Sequence, residues 1–177
     1  MSKDSDHYEQ VTRAILEDLR EHLGLTRVMP KGTFDGASGT EWQIDASSYR
    51  AKTGALVLVE CRRKTTSRIK QEEVAGFAYR IRDIGAGEGL MVTPIGYQTG
   101  AQLVASAEKI GTATLNADAT ATDYLITIGE RLFRGLSAQD SGVGADRVAF
   151  IERRCGTCGE QLEPRGDGQF ACPRCKT

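Results

Sequence analysis

The sequence predicts a mixed α/β protein: a central sheet covered by helices on both faces, followed by a small second module. Three observations carry this. Short apolar runs at Leu56 to Glu60, Leu90 to Val92 and Thr112 to Leu115 alternate with amphipathic segments, the pattern of parallel strands joined by helical crossovers. A turn signal at Lys52, Thr53 and Gly54 joins two extended runs into a hairpin. Two CxxC pairs close the chain.

Taken in order, Tyr8, Val11, Ile15, Leu19 and Leu23 recur at three- and four-residue steps and predict a helix from Asp6 to Leu23, stopped by Gly24. Thr26 to Met29 reads as a short strand, and KGTFDGASGT as a Gly-rich loop. The hairpin follows, with Trp42 to Ser48 as its first strand, and Trp42 and Ile44 packing in the core. In its second strand side chains alternate, so Leu56, Leu58, Glu60 and Arg62 share one face, and Val57, Val59 and Cys61 the other. Val74, Phe77, Ala78, Ile81 and Ile84 mark a helix over Lys70 to Ile84, ended by Gly85. The segment GLMVT is a buried strand, Thr99 to Lys109 a helix with Leu103, Val104 and Ala107 inward, and Thr112 to Asn116 a strand. DYLITIGERLFRG alternates in Tyr124, Ile126 and Ile128, as an edge strand would.

A chain of 177 residues with 40% hydrophobic content supports one ordinary domain and a small module. The boundaries read as residues 1–135 for the first domain, 136–146 for a Gly/Ser/Asp-rich linker and 147–177 for the second. No apolar run approaches the roughly 20 residues that span a bilayer, and MSKDSDHYEQ lacks a signal peptide's apolar stretch, so the expected location is the cytoplasm, away from membranes. The net charge of −1 carries no general bias toward nucleic acid, so such a partner needs a local patch. Arg62, Arg63, Lys64, Arg68 and Lys70 form an acid-free run that is either such a patch or a solvated loop.

The chemistry concentrates in the hairpin. A charged Glu60 at the end of an apolar strand is unusual, and the preceding strand brings Asp45 alongside. Two acids in a partly desolvated site repel unless a proton or a cation sits between them. Oxygen ligands of this kind suit Mg²⁺, or Mn²⁺ in its place. An acid on each of two neighbouring strands is also common by chance. Glu9 fits the first turn of a helix, where the helix dipole favours an acid. His7 and His22 read as surface residues.

Asp45, then fourteen residues, then Glu60-Cys61-Arg62 resembles the Asp…(Asp/Glu)-x-Lys signature of the restriction-endonuclease-like PD-(D/E)xK nucleases, in particular the Mrr-like branch. Arg62 departs from the family's Lys. The run AYRIRDIGAGEGLMVTPIGYQTGAQLVASAEKIGTATL is similar to the Mrr-like succession of helix, Gly-containing loop, "V-T" strand, "G-x-x-x-G-A" turn, helix and last strand, so the resemblance covers Tyr8 to Leu115. It implies a restriction-endonuclease-like core in the order α-β-β-β-α-β-α-β. It also implies an endonuclease site in which Asp45, Glu60 and the Cys61 carbonyl hold Mg²⁺, Arg62 stands in for the lysine, and Glu9 supplies a third carboxylate. Lys64 is a second candidate for the catalytic cation. DNA is the implied partner, with a second copy of the chain as a further candidate.

The last module carries Cys155 and Cys158 in one CxxC and Cys172 and Cys175 in the other. Two such knuckles on facing hairpins complete a closed Cys₄ zinc site, and a module this small needs the metal to fold. Disulfides and a redox pair are the competing readings; a reducing compartment disfavours the first and the duplication the second. The ribbon would offer Arg153 and Arg154 to DNA. Two functions follow: a Mg²⁺-dependent DNA endonuclease with a structural Zn²⁺ ribbon, or a nuclease fold that binds nucleic acid or a partner without cutting.

Overall fold

The structure is a computed structural model that describes residues 3–118, 126–128, 163–164, 170–171 and 174–175. Helix α1 (Lys3–Asp18) leads to an antiparallel pair, β1 (Gly32–Asp35) and β2 (Glu41–Ile44). Then come β3 (Ala46–Tyr49), β4 (Leu56–Cys61), α2 (Gln71–Ile84), β5 (Glu88–Thr93), α3 (Thr99–Ala107), β6 (Gly111–Leu115) and β7 (Ile126–Ile128). The main sheet has the order β3-β4-β5-β6-β7 and is mixed: β4, β5 and β6 are parallel, while β3 and β7 run antiparallel at the edges. A separate pair, β8 (Glu163–Pro164) and β9 (Phe170–Ala171), is antiparallel. Among the described residues no helix is long and apolar enough to cross a membrane.

The alternation of β4 divides the core. Val57, Val59 and Cys61 face α1, packing with Tyr8, Val11, Ile15, Leu16 and the inward residues Leu90, Val92 and Leu115. Leu58 and Met91 face the other way, against Phe77, Ala78 and Ile81 of α2 and Ala101 and Ala105 of α3. Both faces of the central strands are therefore covered, as their unbroken apolar runs require. Gly89 lets α2 lie close: a Cβ there would run into the Ile81 and Phe77 side chains. Gly85, at φ 75°, ends α2 in the left-handed conformation that favours glycine.

Several expectations need correction. Helix α1 ends at Asp18, and Leu19 to Gly24 continue as hydrogen-bonded turns closed by Gly24 at φ 63°. Residues 26–29 form no strand; they meet the sheet edge through the Met29–Ser47 bridge, the Thr26 N–H that donates to the Tyr49 carbonyl and the Thr26 and Arg27 carbonyls that accept the Ser48 hydroxyl, next to an isolated bridge of Leu25 with Arg50. The first half of the Gly-rich segment is strand β1, and the rest is the turn into β2, pinned by Asp83 of α2. That carboxylate accepts the Ser38 N–H, the Ser38 hydroxyl and Trp42 Nε1–H at 2.9, 2.7 and 2.6 Å. Trp42 is accordingly half-buried rather than a core residue, while Ile44 is fully buried. In α3, Leu103 is 67% exposed and Ala107 is exposed, with Val104 half-buried. The face turned inward is that of Ala101 and Ala105, because small side chains allow close approach to α2. A Cβ on neighbouring Gly100 would come within 2.5 Å of Gln71 Oε1.

Candidate functional site

The first strand of the predicted hairpin is broken at Asp45. Before it, β2 pairs with β1; after it, β3 pairs with β4 in a register that sets Ala46 opposite Val59. Asp45 sits at this switch, and its Oδ2 accepts the Cys61 N–H at 2.8 Å, taking the place of a ladder carbonyl. Its neighbour across the switch is Glu60, 3% exposed at the end of β4. Hairpin geometry thus brings Asp45 and Glu60 together as the sequence predicts.

Each acid has its own cations. Glu60 is gripped by Arg80 of α2, whose two terminal nitrogens reach its two oxygens at 3.1 Å each, and Arg62 adds a contact of 2.5 Å to Oε1. Arg80 in turn lies over the Phe77 ring at 5.6 Å and the Trp42 ring at 6.0 Å, which fixes its plane. Burial pushes the Glu60 carboxyl above its ordinary value; Arg62 and Arg80 pull it back in part, and Asp45 pushes it further up.

On the α1 side, Lys31 Nζ lies 3.0 Å from Glu9 Oε2 and 3.5 Å from Asp45 Oδ1. Glu9 therefore joins the site, through a lysine that directly precedes β1. Desolvation draws the Lys31 ammonium down, but Glu9 and Asp45 outweigh it and hold it above its ordinary value. Beneath them Cys61 is buried beside Thr12, and burial together with Asp45 pushes its thiol well up, so it stays a protonated core residue. The phenol of Tyr8 donates to the Leu115 carbonyl and closes this end of the sheet.

The remaining basic residues are placed apart. After Cys61 the chain leaves the strand in a turn, with Lys64 N–H donating to the Arg62 carbonyl at 2.8 Å, so strand parity no longer applies to Lys64. Its Nζ pairs instead with Glu73 at 2.7 Å, in the first turn of α2. Arg68 and Lys70 are exposed, Arg63 half-buried. His7 and His22 are exposed. Of the cysteine quartet, Cys155, Cys158 and Cys172 lie outside the described residues, as do Arg153 and Arg154, and only Cys175 is described.

No family model matches the chain, and no curated protein matches it. A solved structure of similar fold is the crystal structure of AF1548, a protein of unknown function. The TM-score is 0.50 at 19% identity, over 59% of this chain and 56% of that one. The chain thus spans little more than half the length of AF1548, and the likeness shows the fold alone.

Lys31 and Arg80 are the site residues that sequence reasoning missed. Arg80 left a faint signal, since it lies between Ala78 and Ile81 on a helix whose inward residues are otherwise apolar. Lys31 left none. Chemically, the acids Glu9, Asp45 and Glu60 stand against the cations Lys31, Arg62 and Arg80. The Lys31 ammonium is held between Glu9 and Asp45, whose carboxylate oxygens are the ligand type that hard divalent cations take. The groups of three or more metal-ligating side chains that a preformed site would offer are absent among the described residues.

Proposed function

We propose that this protein is a metal-dependent DNA endonuclease of the restriction-endonuclease-like, Mrr-like kind. The observation that carries the reading is the meeting of Asp45 and Glu60 at the strand switch, with Glu9 drawn in through Lys31. The mixed sheet with flanking helices is of the kind the resemblance implies, although four strands, with β1 and β2 in a sheet of their own, stand between α1 and α2 where the implied order has three. Asp45, Glu9 and the Cys61 carbonyl would hold the ion, with Glu60 beside them. A bound Mg²⁺ would supply activation of water and neutralisation of charge at the phosphodiester. Arg62, 42% exposed and anchored on Glu60, is available to a phosphate oxygen and stays charged through the reaction. Arg63, Arg68 and Lys70 would add phosphate contacts along the loop before α2, a role from which the Lys64 pair with Glu73 partly withdraws Lys64.

A structural Zn²⁺ held by Cys155, Cys158, Cys172 and Cys175 belongs to the same proposal. It is supported by the CxxC duplication and by the β8–β9 pair, which falls between the two knuckles.

The second reading, a nuclease fold that binds without cutting, is favoured by one feature: both oxygens of Glu60 are already occupied by arginines. Single-turnover assays on plasmid, linear, methylated, branched and single-stranded DNA with Mg²⁺ or Mn²⁺ decide between them. Metal-dependent cleavage that Asp45→Asn removes supports the nuclease; DNA binding with no cleavage of any form supports the binding module.

A further inference from the structure

We infer that Lys31 is a built-in competitor for the cation position between Glu9 and Asp45, so that a divalent ion binds there only as the lysine ammonium leaves. The inference rests on the proposed reading of these two acids as ligands of a divalent ion, and it adds how their occupation is controlled.

Three features carry it. The Lys31 Nζ contacts Glu9 Oε2 and Asp45 Oδ1, two of the oxygens an ion between these residues would use. An ammonium and a divalent ion a few ångströms apart repel strongly in a partly desolvated site, so the two cannot share it. The lysine is also the most exposed of the three side chains, 33% against 10% for Glu9 and 12% for Asp45, and its four-carbon stem just before β1 has rotamers that carry the ammonium toward solvent. Asp45 does not follow it, because its other oxygen is fixed on the Cys61 N–H. Arg62 and Arg80 are no such competitors for this position, since both are engaged with Glu60.

The test is Mn²⁺ binding to the full chain, read from the free-ion electron paramagnetic resonance signal at fixed pH and ionic strength. Lys31→Met and Lys31→Gln should each lower the dissociation constant about 10-fold or more, as expected from removing one close positive charge. Lys31→Arg, which keeps the charge, should stay near wild type. Adding Asp45→Asn to Lys31→Met should abolish the gain, which assigns it to this site. Folding of each variant is checked by thermal melting, and two neutral substitutions leave the comparison standing if one of them misfolds. Folded Lys31→Met and Lys31→Gln proteins that bind Mn²⁺ no more tightly than wild type overturn the inference. Absence of binding in every variant overturns it together with the metal site it rests on. Tighter binding without cleavage of any DNA leaves the inference standing and removes the nuclease reading.

Discussion

The two ionic groups at the end of β4 are built from similar charges and behave as opposites. On the α2 side a buried glutamate meets a bidentate arginine that aromatic rings hold in plane. On the α1 side two carboxylates share a partly exposed lysine from the edge of the molecule. A guanidinium fork loses little freedom when it pairs, whereas a lysine is a point charge on a mobile stem. The difference teaches which cation is part of the architecture and which can be exchanged: Arg80 fastens α2 to the sheet, and Lys31 holds a place.

The sharpest break of this comparison is Arg80→Met, which strips a buried carboxylate of its principal partner. It should cost about 3–5 kcal/mol in urea unfolding, the range for removing one member of a buried pair. Glu60→Gln combined with Arg80→Met should cost clearly less than the two single losses added. A loss below about 1 kcal/mol for Arg80→Met would place the pair with ordinary surface bridges. This expectation also limits Glu60 substitutions as catalytic tests, because they disturb the fold.

Asp45→Asn is the cleaner probe of chemistry. Metal-dependent cleavage should fall at least about 10²-fold while the melting temperature moves little. Arg62→Ala should lose a similar factor in single-turnover rate and Arg62→Lys should keep most of it, since the charge is what acts. On the exchangeable side, Lys31→Met should cost clearly less stability than Arg80→Met, because the ammonium is partly exposed and its carboxylates are less buried than Glu60.

The smallest effect concerns Glu73. Partial burial pulls its carboxyl up, but Lys64 and the Lys70 N–H outweigh that and hold it below its ordinary value of 4.5. Its folded value lies below its unfolded one, so its contribution is present above the unfolded value and is lost as pH falls through the folded value. Glu73→Gln should flatten the acid limb of the stability curve by less than about 1 kcal/mol, with amide exchange rising first at the start of α2.

Much of the fold was legible because strand parity and helix periodicity are local rules. The two faces of β4, the helical crossovers and the edge position of Ile126–Ile128 all follow from them. The β1–β2 pair was not legible, since Gly32, Gly36 and Gly39 disguise a hairpin whose tip is held by Asp83, more than 40 residues away. Leu103 misled because hydrophobicity alone does not say which face of α3 meets α2. In the site, Asp45 and Glu60 were legible from hairpin spacing, but Arg80 and Lys31 reach them from elements whose placement only the tertiary fold decides.

The contrast between the two groups can be watched directly by nitrogen NMR of the side chains while Mg²⁺ is added at constant pH. The account predicts that the Lys31 Nζ resonance shifts to a solvent-exposed position as the ion binds, while the Arg80 Nε resonance stays where it is. A shift of Arg80 with Lys31 unmoved would contradict it, and would make Glu60 the acid that exchanges its cation.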